Sequence, residues 1–213
     1  DFVDHTHPDA IIAVATSKKG REITKKIFND KVAWVNWQRP GFDLGLKLGE
    51  ISKNKKYIGV VLGGHGLFTW GKSDKECYTR TIKVISQATS WLQKNSKNKP
   101  FGKEKSISFN KIKRKTLVSK IIPFVRGKIS ILEKKIGHLN DDKNVLEFVN
   151  SANLKKMAKI GTSCPDHFIR TKKTPIVLNV KIENKNDNQI IKDIENDLEA
   201  YRKTYFKYYS KNK

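Results

Sequence analysis

The sequence predicts an α/β domain, a central β-sheet flanked by helices, followed by a smaller mixed α/β or helical segment. Three observations carry that expectation. Over residues 1 to about 100, short apolar runs alternate with stretches of helical periodicity. Tyr57 to Leu62 (YIGVVL) is apolar enough for a strand buried on both faces. Asp74 to about Lys94 is amphipathic and opens on its own start signal. A sheet covered by helices in layers accommodates all three.

The elements follow in order. Phe2 to His7 reads as a short strand stopped by Pro8, whose ring suits a first helical turn. Asp9 to Thr16 is small and apolar, as a helix lying on a sheet should be, and Ser17 is a candidate cap for a second helix ending at Phe28. Val32 to Trp37 is the next strand. Pro40-Gly41 turns the chain, and Phe42 to Ile51 places Leu44, Leu48 and Ile51 at helical spacing. The strand Tyr57 to Leu62 ends in the turn Gly63-Gly64-His65-Gly66. Ser73 caps the long helix, with Glu76 completing a capping box and Cys77, Ile82, Ile85, Ala88 and Leu92 turned inward.

Residues 1–100 form the expected main domain, 101–116 a linker and 117–213 a smaller mixed segment. The polar, Lys-rich stretch Asn95 to Lys115, broken by Pro100-Phe101-Gly102, is the boundary. Beyond it, Ile121 to Ile131 is apolar but interrupted at Arg126-Gly127. Val145 to Ala158 looks helical, Ile176 to Val180 reads as a short strand, and Gln189 to Tyr209 is a helix with Ile190, Ile194, Leu198 and Tyr201 on one face. The aromatic residues that end it form a packing face.

Composition excludes several classes. The chain has 213 residues and 37% hydrophobic content, enough for a core. No run approaches the roughly 18 apolar residues of a membrane span, so no membrane partner is expected. Two distant cysteines give no disulfide framework, and a reducing cytoplasm is the default location. The net charge of +23 invites a nucleic-acid partner, but only seven of the 44 basic residues are Arg. Readers of bases and phosphates lean on the planar guanidinium. The dispersed Lys excess fits a solvated surface better, and its one dense run, Lys111 to Lys115, falls in a linker-like stretch.

The chemistry lies with the histidines. His5 and His7 are two residues apart on a strand, so both imidazoles point to one face. His65 sits at the end of another strand between glycines that permit a tight turn. Three neutral imidazoles with an open fourth position make a catalytic zinc site. Spacing alone leaves open the other arrangement, three core histidines with no metal. Asp4 is a candidate partner behind a ligand and Asp9 a helix-start residue, while Glu22 and Glu50 belong to exposed helix faces. Cys164-Pro165-Asp166-His167 has a Cys-x-x-His spacing that could serve a second metal, but His138 is isolated and a packing turn is the simpler reading. Arg126-Gly127-Lys128 reads as a surface loop rather than a phosphate contact, and Cys77 as an inert buried thiol.

Asp4-His5-Thr6-His7-Pro8 and Gly63-Gly64-His65-Gly66-Leu67 resemble the two metal-binding segments of the class II aldolase/adducin family. Trp37 to Leu46, Phe68-Thr69-Trp70-Gly71 and Glu76-Cys77-Tyr78 extend the likeness. So do Gly161 to Phe168 and Thr171-Lys172, and together these resemble the aldolase half of bifunctional rhamnulose-1-phosphate aldolase/lactaldehyde dehydrogenase proteins.

The resemblance implies a layered class II aldolase-like fold and a Zn2+ (or other divalent) site at His5, His7 and His65. The implied reaction is reversible cleavage of a ketose 1-phosphate into dihydroxyacetone phosphate and L-lactaldehyde. It also implies a sugar-phosphate substrate, a homo-oligomer, and a Glu acid/base about 20 positions before His5. On that expectation the chain is an N-terminally truncated fragment, inactive alone, with a dehydrogenase domain downstream; no Gly-x-Gly-x-x-Gly fingerprint occurs in these residues. Another sugar-phosphate aldolase, an epimerase of the same fold, and a non-catalytic adducin-like module are the alternatives.

Overall fold

The computed structural model describes residues 2–96, 99–105, 109–180 and 185–213. Residues 97–98 and 106–108 of the expected boundary region lie outside these. The chain divides into two compact units, one of residues 1–98 with 162–173, the other of residues 99–161 with 174–213.

The first unit is built on a four-stranded sheet of order β1-β4-β3-β2: β1 is Phe2–Thr6, β2 Val32–Val35, β3 Gly59–Leu62 and β4 Gly66–Gly71. β2 and β3 are parallel, whereas β4 runs antiparallel to both β3 and β1. β4 is the element that the sequence reading did not separate. Its residues Leu67 to Gly71 follow so closely on the turn at Gly63 that they read as one motif with it.

Side-chain alternation sorts the core into two layers. Val32, Val61 and Leu67 face Ile11 and Ala15 of α1 (Asp9–Ala15), Phe28 of α2 (Gly20–Phe28), and Val84 and Ala88 of α4 (Asp74–Asn95). On the other face Ala33, Val35, Val60 and Leu62 meet Leu44 of α3 (Phe42–Ser52), with Phe68 and Trp70 alongside. β2 and β3 are therefore apolar on both faces, as the run Tyr57 to Leu62 suggested.

Several local expectations change. Ser17 donates its hydroxyl to the carbonyl of Val14 and so closes α1 instead of opening α2, which starts after Lys19. Ile82 is turned outward; the buried residues of α4 are Cys77, Thr81, Val84 and Ala88. The Ser73 hydroxyl accepts from the Glu76 amide, but the Glu76 carboxylate reaches the amide of Lys72, one residue before the cap, and also pairs with Arg80.

The second unit centres on α5 (Lys111–Ile129) and α9 (Asp187–Asn212), whose Ile190, Ile194 and Leu198 pack with Leu117, Ile121, Phe124 and Val125. The basic run Lys111 to Lys115 is the first part of α5, capped by Asn110, rather than linker. Arg126 and Lys128 also lie on that helix, bonded to the Lys135 carbonyl and to Glu195. Ile176 to Val180 forms no strand; Ile176 and Val180 pack against the helices from chain without regular secondary structure. The helix expected over Val145 to Ala158 is two short ones, α6 (Lys143–Val149) and α7 (Leu154–Ala158). Between them the Ser151 hydroxyl donates to the Phe101 carbonyl and accepts from the Asn153 amide. Among the described residues no helix is long and apolar enough to cross a membrane.

Leu67 is 0% exposed at the centre of the first layer and Leu132 is 96% exposed. Leu67→Ala is expected to lower unfolding stability by about 2–5 kcal/mol. Leu132→Ala should stay within about 0.5 kcal/mol of the parent. Urea unfolding monitored by circular dichroism measures both.

Candidate metal centre

Three chain segments meet at one end of the sheet. β1 carries His5 in register with Phe68 of β4, and the two rings stack with centroids 3.9 Å apart and planes 7° from parallel. The His5 Nδ1–H donates to the Leu67 carbonyl at 3.0 Å, which leaves Nε2 with its lone pair. His7 lies just past the strand end, its ring centroid 4.6 Å from that of His5.

His65 arrives on the turn between β3 and β4. Gly64 holds φ at +65°, a left-handed conformation that glycine adopts without a Cβ penalty. Gly66 is required for a different reason: a Cβ there would lie 2.3 Å from Cδ2 of His7 and 2.8 Å from the Thr6 carbonyl. The absence of a side chain at 66 is what lets the His7 ring sit against the turn.

One nitrogen from each of His5, His7 and His65 falls within 4.8 Å of the others, and the Nε2 atoms of His5 and His65 are 3.2 Å apart. Among the described residues this is the one group of three or more His, Cys, Asp or Glu close enough to share a cation. Cys164 and His167 join no such group. His167 contacts Ser163 instead, at 3.2 Å.

Burial sets the electrostatics. Desolvation, reinforced by His5 and His7, pulls the His65 pKa down to about 4. Desolvation also lowers His5, partly offset by its bond to the Leu67 carbonyl. Neutral imidazoles are the form a metal requires.

Asp4, read from sequence as the partner behind a ligand, points the other way. It accepts from the Thr81 hydroxyl at 2.8 Å, and Thr81 meets Thr69 at 2.5 Å, tying β1, β4 and α4 together. Burial, with Asp4 nearby, pushes the adjacent Cys77 thiol up. The partner is Asp166, on the short helix α8 (Pro165–Arg170): its Oδ2 accepts from His7 Nδ1 at 2.5 Å. That hydrogen bond holds the Asp166 carboxyl below the usual carboxylate range. The segment read as a packing turn thus belongs to the unit that bears the histidines. Nothing local in the sequence pairs residues 159 apart; the one signal was the likeness of Gly161 to Phe168 to a family segment.

These residues fit a divalent cation. His7 Nε2 is a buried side-chain nitrogen without a hydrogen-bond partner among the described residues, which is costly unless something accepts its lone pair. Three neutral nitrogen donors are a zinc-type set.

The lowered His65 pKa carries a sign. In metal-free protein the unfolded chain takes up this proton near pH 6.5, whereas the folded chain waits until about pH 4. Between those values the unfolded state holds more protons, so folding stability falls as pH drops through the window. Urea midpoints measured in chelator from pH 7 to pH 4 should decline, and His65→Asn should flatten part of that slope. An unchanged slope in the variant would contradict the assignment.

Comparison with known proteins identifies the family. The family model for the class II aldolase and adducin N-terminal domain matches residues 1–92, and that for the second domain of class II aldolase matches residues 116–213. The "Uncharacterized oxidoreductase YuxG" of Bacillus subtilis (strain 168) is 34% identical over 212 residues, which take in 99% of this chain and 31% of that protein. The chain therefore spans less than a third of that relative. Among solved structures, the N-terminal class II aldolase domain of a conserved protein from Thermoplasma acidophilum is 32% identical, covering 42% of this chain and 41% of that one, with a TM-score of 0.39. A sugar-phosphate aldolase from Thermotoga maritima is 22% identical, covering 45% and 46%, with a TM-score of 0.38. With two domain models matched in series along most of its length, the chain belongs to the class II aldolase/adducin family.

Proposed function

We propose that this chain is the aldolase portion of a metal-dependent lyase. It would cleave a ketose 1-phosphate, rhamnulose 1-phosphate, reversibly into dihydroxyacetone phosphate and L-lactaldehyde, with zinc or another divalent ion held by His5, His7 and His65. The observation that carries this reading is the convergence of three imidazoles at one end of the sheet, with the His7 Nε2 among them buried and unpartnered. A cation bound there supplies Lewis-acid polarisation of the substrate's carbonyl and hydroxyl oxygens.

The residues of the chain supply the rest of the site's character. The Leu67 carbonyl and the Phe68 ring fix the plane and tautomer of His5. The turn at Gly64 delivers His65 in a buried, neutral state, and Gly66 leaves room for the His7 ring. No residue of this chain is assigned the proton transfer, which the family resemblance gives to a Glu upstream of His5. The name of the Bacillus subtilis relative, an oxidoreductase more than three times as long, is in keeping with a dehydrogenase region beyond the aldolase part. The working protein on this reading is a cytoplasmic homo-oligomer.

Purified protein is expected to carry about one divalent ion per chain by elemental analysis, and His65→Ala to lose it, since a catalytic zinc site needs about three protein ligands. The intact protein should release dihydroxyacetone phosphate from rhamnulose 1-phosphate in a coupled assay, with activity lost to chelator and restored by Zn2+. An epimeric ketose phosphate in place of two three-carbon products would point to the epimerase reading. A chain that binds no metal would leave the adducin-like one.

A further inference from the structure

His7 differs from the other two histidines in what stands behind it. His5 is held by a backbone carbonyl of its own sheet partner, whereas His7 Nδ1 meets a carboxylate from a segment 159 residues further along. A neutral imidazole carries one N–H; when Nδ1 donates it to Asp166, Nε2 bears the lone pair. That Nε2 is the buried, unpartnered atom, on a side chain only 17% exposed, while Asp166 is half exposed. The aspartate is therefore bound on one side and open to water on the other, an arrangement that keeps it charged.

The segment bearing Asp166 is locally constrained. Pro165 stands at the first helical position after Cys164, which is buried at 6% exposure. The Thr171 hydroxyl donates to the His167 carbonyl at 2.5 Å and closes the far end of the turn. Residues 162–173 cluster with the sheet unit although they fall inside the stretch matched by the second-domain family model.

We propose that Asp166 is the positioning residue for His7: it fixes the tautomer that turns Nε2 toward His5 and His65, and so lets a segment from the second-domain region complete the metal site. This rests on the metal reading above. A carboxylate behind a ligating imidazole raises the basicity of the ligand and locks its ring, and its loss weakens metal binding about ten- to a hundredfold.

The test uses the intact protein and three variants, Asp166→Ala, Asp166→Asn and Asp166→Glu, with Zn2+ affinity measured by chelator competition. Nitrogen-15 NMR of metal-free protein reads the His7 tautomer, and circular dichroism checks that the fold is retained. Asp166→Ala is expected to lose about ten- to a hundredfold in Zn2+ affinity and to shift His7 away from the Nδ1–H tautomer. Asp166→Asn keeps an acceptor for that proton without the charge, so it should hold the tautomer while losing affinity. Asp166→Glu should recover part of what Ala loses. Affinity within about twofold of the parent in Asp166→Ala, with His7 unchanged, overturns the proposal, because a ligand-supporting carboxylate has a larger effect. Failure of the parent protein itself to bind Zn2+ overturns the metal reading and this inference with it, and is told apart by being seen before any substitution.

Discussion

The antiparallel pairing of β1 with β4 is the constraint on which the candidate site depends. Phe2 through Thr6 pair with Gly71 through Leu67, so His5 lies opposite Phe68 and the end of β1 passes beside the start of β4. His65 immediately precedes that start. Because side chains alternate along a strand, a slip of one residue would turn His5 to the opposite face and put Asp4 or Thr6 beside the α3 layer. Two things oppose the slip. The His5 ring stacks on Phe68 on one face, and on the other Asp4 engages Thr81, which in turn meets Thr69. The same register thus serves both faces, locking a polar contact under α4 and aiming an imidazole at its neighbours.

The second constraint is electrostatic. Burial disfavours protonation of His65, through desolvation first and the neighbouring His5 and His7 second, and it lowers His5 as well, partly offset by the Leu67 carbonyl. The N–H groups of the cluster are already taken up on two of its members, since the Leu67 carbonyl accepts from His5 Nδ1 and Asp166 from His7 Nδ1. What remains is a buried His7 Nε2 with no partner among the described residues and two Nε2 atoms, of His5 and His65, only 3.2 Å apart. An apolar core would gain nothing from such an arrangement, and a buried polar group left without a partner is destabilising. The donor set makes physical sense when a cation is its partner.

Much of the fold was legible in the sequence because the relevant signals are local. Tyr57 to Leu62, the cap at Ser73 and the spacing of Leu44, Leu48 and Ile51 each declare an element within a few residues. β4 was missed because a tight two-glycine turn leaves no polar break between it and β3. Ser17 misled because a hydroxyl that can cap the next helix can equally bond back to the preceding turn, as it does to Val14. In the second unit, Ile176 to Val180 has strand composition but meets helices instead of another strand, and only long-range packing decides that. For the site, the histidines stood out through the His-x-His spacing and the glycines around His65. Asp166 did not, because its tie to His7 is visible only once the chain has returned, and the nearer Asp4 was the natural but wrong choice.

The return of residues 162–173 to the sheet unit gives the site an order of assembly in time. Translation delivers the three histidines before the carboxylate behind His7, which follows His65 by about a hundred residues. At a typical rate of roughly 5–20 residues per second, that is an interval of about 5–20 s in which the sheet can form while His7 is free to hold either tautomer. The nascent chain would therefore pass through a stage with its ligands gathered but one of them unset, and the docking of a six-residue helix would end it.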